Sequence, residues 1–166
     1  MLTERLFINQ PDDFPELFFD ALFLNIFVTG VFTIVYSFPA HRLLPDTYYS
    51  IHNPKLLTRV GKIIQMDLFK KLLTKTIWRE RNNKKYFFNG FRGGIDNLEV
   101  AARQSEFGHF MGFCVVMSLA VFFAIKTSFL IAVMIFVVNI FFNFYPFMLQ
   151  RFHRLRVNKV KSKKAA

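Results

Sequence analysis

The stretch FGHFMGFCVVMSLAVFFAIKTSFLIAVMIFVVNIFFNFYPFML, residues 107–149, decides the fold. It holds two apolar runs, 107–125 and 129–149, parted only by Lys126, Thr127 and Ser128. Each run has about twenty residues, enough helix to cross a hydrocarbon core about 30 Å thick, and together they are too long for one crossing. The three polar residues between them predict a tight helical hairpin. A further apolar run, 17–38, precedes the pair and is closed by Pro39. It has no basic stretch before it and no small-residue cleavage site after it, so it reads as an anchor rather than a signal peptide. The expected fold is one all-α integral membrane domain with about three transmembrane helices. Its parts are an N-terminal segment (1–16), a first span (17–38), a basic segment (39–106), the hairpin (107–125 and 129–149) and a basic tail (150–166).

Composition agrees with a bilayer location. Hydrophobic residues make up 53% of the chain and 24 are Phe, more than a soluble fold of this size carries. Cys114 is the single cysteine and lies in an apolar run, so it can form no intrachain disulfide. The formal charge of +11 is unevenly placed: residues 40–105 hold thirteen Lys/Arg and the tail holds seven with no acid. Basic segments flanking apolar spans follow the positive-inside rule and are not a nucleic-acid footprint. The rule places residues 40–105 and the C-terminus in the cytoplasm, with the N-terminus and Lys126 outside.

Within the basic segment, Ile64, Leu68, Phe69, Leu72, Leu73, Ile77 and Trp78 recur at helical spacing among Lys62, Lys70, Lys71 and Lys75. This pattern predicts an amphipathic helix, lying in the headgroup plane or packed on the rest of the protein. Gly90, Gly93 and Gly94 mark a loop before the next helix, where Arg92 could meet a phosphate or a lipid headgroup. Their spacing matches no nucleotide-binding loop.

Ionisable groups at the membrane edge are the candidates for chemistry, because they are costly in lipid. Glu106 and His109 are neighbours on one helix face. A carboxylate beside an imidazole orients a general base; the alternatives are a polar pair reaching for the interface and a metal site. Glu-x-x-His is half of a di-iron motif, but His41, His52 and His153 have no carboxylate three residues before them, so no metal is expected. On the following helix Asn139, Asn143, Pro146 and Gln150 fall within about 60° at 100° per residue. Closing the hairpin about Thr127 brings His109 level with Pro146, between Asn143 and Gln150, at the cytoplasmic mouth. The amides either serve the same site or only hold helices together. Arg151, Arg154 and Arg156 satisfy positive-inside by themselves and could also grip phosphates.

Four features together resemble a family of small bacterial membrane proteins, the glycosyl-4,4'-diaponeurosporenoate acyltransferases of carotenoid biosynthesis. They are Leu44-Pro45-Asp46 followed by Tyr48 and Tyr49; Glu106-x-x-His109; Asn143 seven residues before Gln150; and Gln150-Arg151-Phe152-x-Arg154-x-Arg156. Their order spans residues 44–156. The resemblance implies a multi-pass protein of the bacterial inner membrane that transfers a fatty acyl group to a sugar hydroxyl of a glycosylated carotenoid. Glu106 and His109 would be the catalytic pair. Asn139, Asn143 and Gln150 would bind substrate or the oxyanion, and Arg151, Arg154 and Arg156 the donor phosphates. No cofactor is expected beyond acyl-CoA as a co-substrate. Expected partners are membrane lipid and a lipidic substrate, with a membrane protein or a second copy as a further possibility. The competing expectation is a non-catalytic membrane subunit or a lipid binder.

Overall fold

In the computed structural model the described residues are 14–36, 44–76, 92–126 and 128–165. The positions Pro39, His41, Ile77, Trp78, Gly90 and Thr127 named above lie outside them. Three helices among the described residues are long and apolar enough to cross a membrane: Pro15–Tyr36, Asn97–Lys126 and Phe129–Ser162. The chain is a multi-pass, all-α membrane protein.

Helix α1 (Phe14–Tyr36) is apolar over most of its circumference, as suits a helix with one side on protein and the other toward lipid. Phe19, Phe23 and Phe27 form an outer row that is more than half exposed, while Leu17, Ala21 and Asn25 are buried. The inner row packs on the hairpin formed by α5 (Arg92–Lys126) and α6 (Phe129–Asn139). At the hairpin end the core is wholly apolar, with Leu17, Ala21, Val116, Ala120, Phe123, Ile131, Ile135 and Val138. Toward the other end α1 meets α5 at Gly108 and Gly112, a small-xxx-small spacing that lets two backbones approach closely. A Cβ on Gly112 would lie 2.6 Å from the Thr29 hydroxyl and 3.0 Å from Asn143 Oδ1. Gly112→Ala should therefore cost about 1–3 kcal/mol as overpacking, read as a lower thermal midpoint in detergent. Gly30→Ala, whose new methyl meets nothing within 4 Å, should leave that midpoint unchanged.

The hairpin extends beyond its apolar runs. Helix α5 begins at Arg92, so Gly93 and Gly94 sit in its first turn rather than in the expected loop. At 1.5 Å per residue its 35 residues span about 52 Å, well beyond the hydrocarbon core. Opposite α5, helix α7 (Tyr145–Ala165) carries the chain past Leu149, and the basic tail is helical. Lys161 ties this tail to α5, its ammonium lying 2.6 Å from Glu99. Between α6 and α7 stands a π-helical turn, Ile140–Phe144. Pro146 accounts for it. Having no N–H, it cannot bond the Phe142 carbonyl one α-turn back, and its ring would collide there. The backbone widens, and the Tyr145 N–H bonds to the Ile140 carbonyl instead.

The predicted amphipathic helix is two helices. Asn53 caps α3 (Pro54–Ile63) by accepting from the Leu56 N–H. The helix ends at Gln65, whose φ of 52° is left-handed, and α4 (Met66–Thr76) follows. A non-glycine residue costs roughly 1–2 kcal/mol in that conformation. The Tyr145 hydroxyl offsets part of this by donating to the freed Ile64 carbonyl at 3.0 Å. One face of the pair packs on α7 through Met66, Phe69 and Met148. The other leaves Leu56, Ile63, Leu68 and Leu72 more than half exposed, so a protein contact and an outward apolar face coexist in one unit.

Candidate active site

Two polar layers cross the bundle at its basic end. The deeper is an amide network anchored on backbone. Asn25 donates from Nδ2 to the Ala21 carbonyl (2.7 Å), and Asn139 donates from Nδ2 to the Phe113 carbonyl (3.1 Å). A carbonyl can only accept, so both amides have a fixed orientation. Their Oδ1 atoms then face Asn143, which donates to each at 2.8 Å through Nδ2. Asn25, Asn139 and Asn143 are fully buried. With both Nδ2 protons engaged, Asn143 presents Oδ1 to the Nδ1 of His109, 3.3 Å away. The Thr29 hydroxyl also lies within bonding distance of that oxygen and of the Asn25 carbonyl.

The consequence for His109 is chemical. Facing an acceptor, Nδ1 carries the proton, and in a neutral imidazole the lone pair then sits on Nε2. The carbonyl of Phe142, which Pro146 leaves without its usual donor, lies beside the same ring. An imidazole oriented by an oxygen acceptor on Nδ1 and carrying its lone pair on Nε2 has the arrangement of a general base. Here an amide stands where such bases often have a carboxylate.

Glu106 lies one turn nearer the basic end and faces arginines rather than His109. Its Oε1 is 3.0 Å from Arg151 Nε and its Oε2 is 2.8 Å from Arg154 Nε. Glu106 has no solvent exposure and Arg154 only 2%. The pair with Arg154 is a buried ion pair bridging α5 and α7, a geometry in which loss of one partner is costly. Arg151 has more solvent and donates from Nη2 to the Tyr48 carbonyl. Arg156 is exposed and Gln150 half-buried on the same helix.

The short helix α2 (Asp46–Tyr49) covers this layer. Tyr48 packs its ring on Phe110, next to His109 in sequence, and under the Arg151 guanidinium at 4.8 Å. Tyr49 lies between Arg103 and Arg154, each 5.2 Å from its ring. Asp46 fixes α2 to α5 by a 2.9 Å ion pair with Arg103, which also holds Glu99. Burial, reinforced by the Glu106 charge, pushes the Tyr48 phenol up to about 12, so it stays a neutral O–H. Burial likewise raises the Tyr49 phenol, with its neighbour Tyr36 adding to the effect. The Tyr48 hydroxyl and the Arg154 Nη2 are buried without a hydrogen-bond partner among the described residues, and each can still donate.

The structure thus joins His109 with Asn143 and Asn139, and Glu106 with Arg151 and Arg154, in separate layers. His109 meets Asn143, one of the two residues between which closing the hairpin places it. Asn143 is an acceptor toward His109 with no Nδ2 proton left for an oxyanion. Arg154 is enclosed by Glu106 and Tyr49. Asn25 and Thr29 complete the network and were not among the predicted site residues, although their i, i+4 spacing in a span is a polar signal in itself. Among the described residues no three His, Cys, Asp or Glu side chains gather as metal ligands.

A family model described as glycosyl-4,4'-diaponeurosporenoate acyltransferase matches residues 45–163. That segment takes in α2 through most of α7 and leaves out α1. No curated protein and no solved structure matches the chain.

Proposed function

Because the chain belongs to the glycosyl-4,4'-diaponeurosporenoate acyltransferase family, we propose that it moves a fatty acyl group from a thioester donor to a sugar hydroxyl of a glycosylated carotenoid, with His109 as the general base. The observation that carries this reading is the one-way hydrogen-bond chain from the Ala21 and Phe113 carbonyls through Asn25, Asn139 and Asn143 to His109 Nδ1.

In the proposed reaction Nε2 takes the hydroxyl proton as the sugar oxygen attacks the thioester carbonyl carbon. A C–O bond forms, and the carbonyl electron pair moves onto its oxygen. When that oxyanion collapses the C–S bond breaks, and the imidazolium returns its proton to the leaving sulfur. The oxyanion needs a preorganised donor, usually a large contributor to rate. The Tyr48 hydroxyl is an unengaged donor of the adjacent layer, and half-buried Gln150 is a second candidate. Asn143 acts through His109 as a positioning residue. The positive-inside distribution of Lys and Arg supports the cytoplasmic side for this end of the bundle.

Deleting the gene in its own host tests the reading. Pigment extracts should lose the acylated species and accumulate the glycosylated carotenoid without its fatty acid. An unchanged pigment profile would overturn the acceptor assignment.

A further inference from the structure

Five cations of the described chain are matched to acids. Arg103 meets Asp46 and Glu99, Arg151 and Arg154 meet Glu106, Lys161 meets Glu99 and Lys70 meets Asp67. A different arrangement holds on the outer side of α3. Lys55, Arg59 and Lys62 fall at i, i+4 and i+7 and so share one helix face. Together with Pro54, Thr58 and Lys159 of α7 they line a groove of about 480 Å³. Among the described residues no carboxylate lines this groove, and none of its four cations meets one. The volume falls in the range of small-molecule sites, about 300–1,000 Å³. Four positive charges around one hollow repel one another, and a bound polyanion relieves that repulsion.

We propose that this groove holds the phosphates of the acyl donor, a thioester of the coenzyme A class. The inference rests on the acyl-transfer reading and adds to it the donor and its site. Two observations select this ligand. First, Arg151 and Arg154, two of the three expected phosphate ligands, are held by Glu106, which leaves Arg156 alone of that set against the four cations of the groove. Second, the groove and the base lie at different heights along the bundle, the base beside Asn143 in the π-helical turn and the groove beside Lys159 on α7. The 16 residues from Asn143 to Lys159 rise about 24 Å at 1.5 Å per residue, comparable to the reach of an extended phosphopantetheine arm. Such a donor carries phosphates at one end and its thioester at the other. Arg59 offers a two-pronged guanidinium to a phosphate, while Lys55, Lys62 and Lys159 act as point charges.

The test is calorimetric titration of coenzyme A into the full-length protein in phosphatidylcholine nanodiscs. Wild-type protein should bind one equivalent saturably, with affinity falling as salt rises. Arg59→Glu combined with Lys62→Glu should weaken binding at least tenfold, whereas Lys75→Glu, on α4 outside the groove, should not. Thr58→Glu, also in the groove, provides the same test should the double variant fail to fold. Equal affinity in wild type and groove variants would overturn the proposal. So would wild-type protein that binds phosphatidylglycerol vesicles or an acidic acyl carrier protein through these residues and does not bind coenzyme A. The two readings fail separately. Saturable coenzyme A binding without ester formation would retain the groove and remove the acceptor, and ester formed at wild-type rate by the double variant would do the reverse.

Discussion

Glu106→Ala should be the most destabilising single substitution in the chain, lowering stability by about 3–5 kcal/mol, the usual cost of stranding one member of a buried ion pair. The geometry explains the size. Glu106 is fully buried and is the acidic partner of both Arg151 and Arg154. Arg151 can turn toward solvent once released, but Arg154 is 2% exposed and held under the Tyr49 ring. Its charge would remain in a low-dielectric setting with nothing opposite. Arg154→Leu together with Glu106→Leu should recover much of the loss, because apolar residues of similar volume often replace a buried pair at little cost. Thermal unfolding of the detergent-solubilised variants, followed by size-exclusion profile, measures both. If Glu106 instead served His109 as its acidic partner, the double leucine variant would be folded and inactive while Glu106→Ala remained as stable as wild type.

His109→Gln should reduce acyl transfer by about 10² to 10⁴-fold, the range contributed by a positioned general base, with protein abundance in membranes unchanged. Gln keeps an N–H that can reach Asn143 Oδ1, so the amide network survives while the proton acceptor is lost. Asn143→Leu tests the same base through its positioning residue. It should lower kcat and leave KM near wild type, because His109 loses its orientation while the substrate contacts stay. A purely structural role for Asn143 would lower the amount of folded protein and leave the kcat of the surviving fraction unchanged.

The hairpin and the first span were legible because length and apolarity dictate membrane crossings directly. The amide face of the third span was also legible, since helical periodicity alone aligns Asn139 with Asn143. What lay on the other side of that face was not. The spacing of Asn25 and Thr29 marks a polar face on α1 but not what that face meets, and their arrival at Asn143 depends on packing that Gly108 and Gly112 permit. The partner of Glu106 was misjudged for a related reason. Spacing along one helix places His109 beside it, but the arginines of α7 cross to it at 2.8–3.0 Å and charge attraction prevails. Pro146 signalled an irregular backbone, yet not that the irregularity would be a π-helical turn with Asn143 inside it. The break at Gln65 carried no glycine or proline to announce it. It depends on Tyr145, 81 residues away, capping the Ile64 carbonyl.

The most direct test of acyl transfer at this site is reconstitution. Purified protein in lipid nanodiscs would be supplied with a glycosylated carotenoid and a thioester of isotopically labelled fatty acid, and the products analysed by mass spectrometry. The expected result is labelled acyl group esterified to the sugar by wild-type protein, with His109→Gln at or near background. Folded wild-type protein that forms no ester with that acceptor, or a His109→Gln variant that forms it at the wild-type rate, would contradict the account.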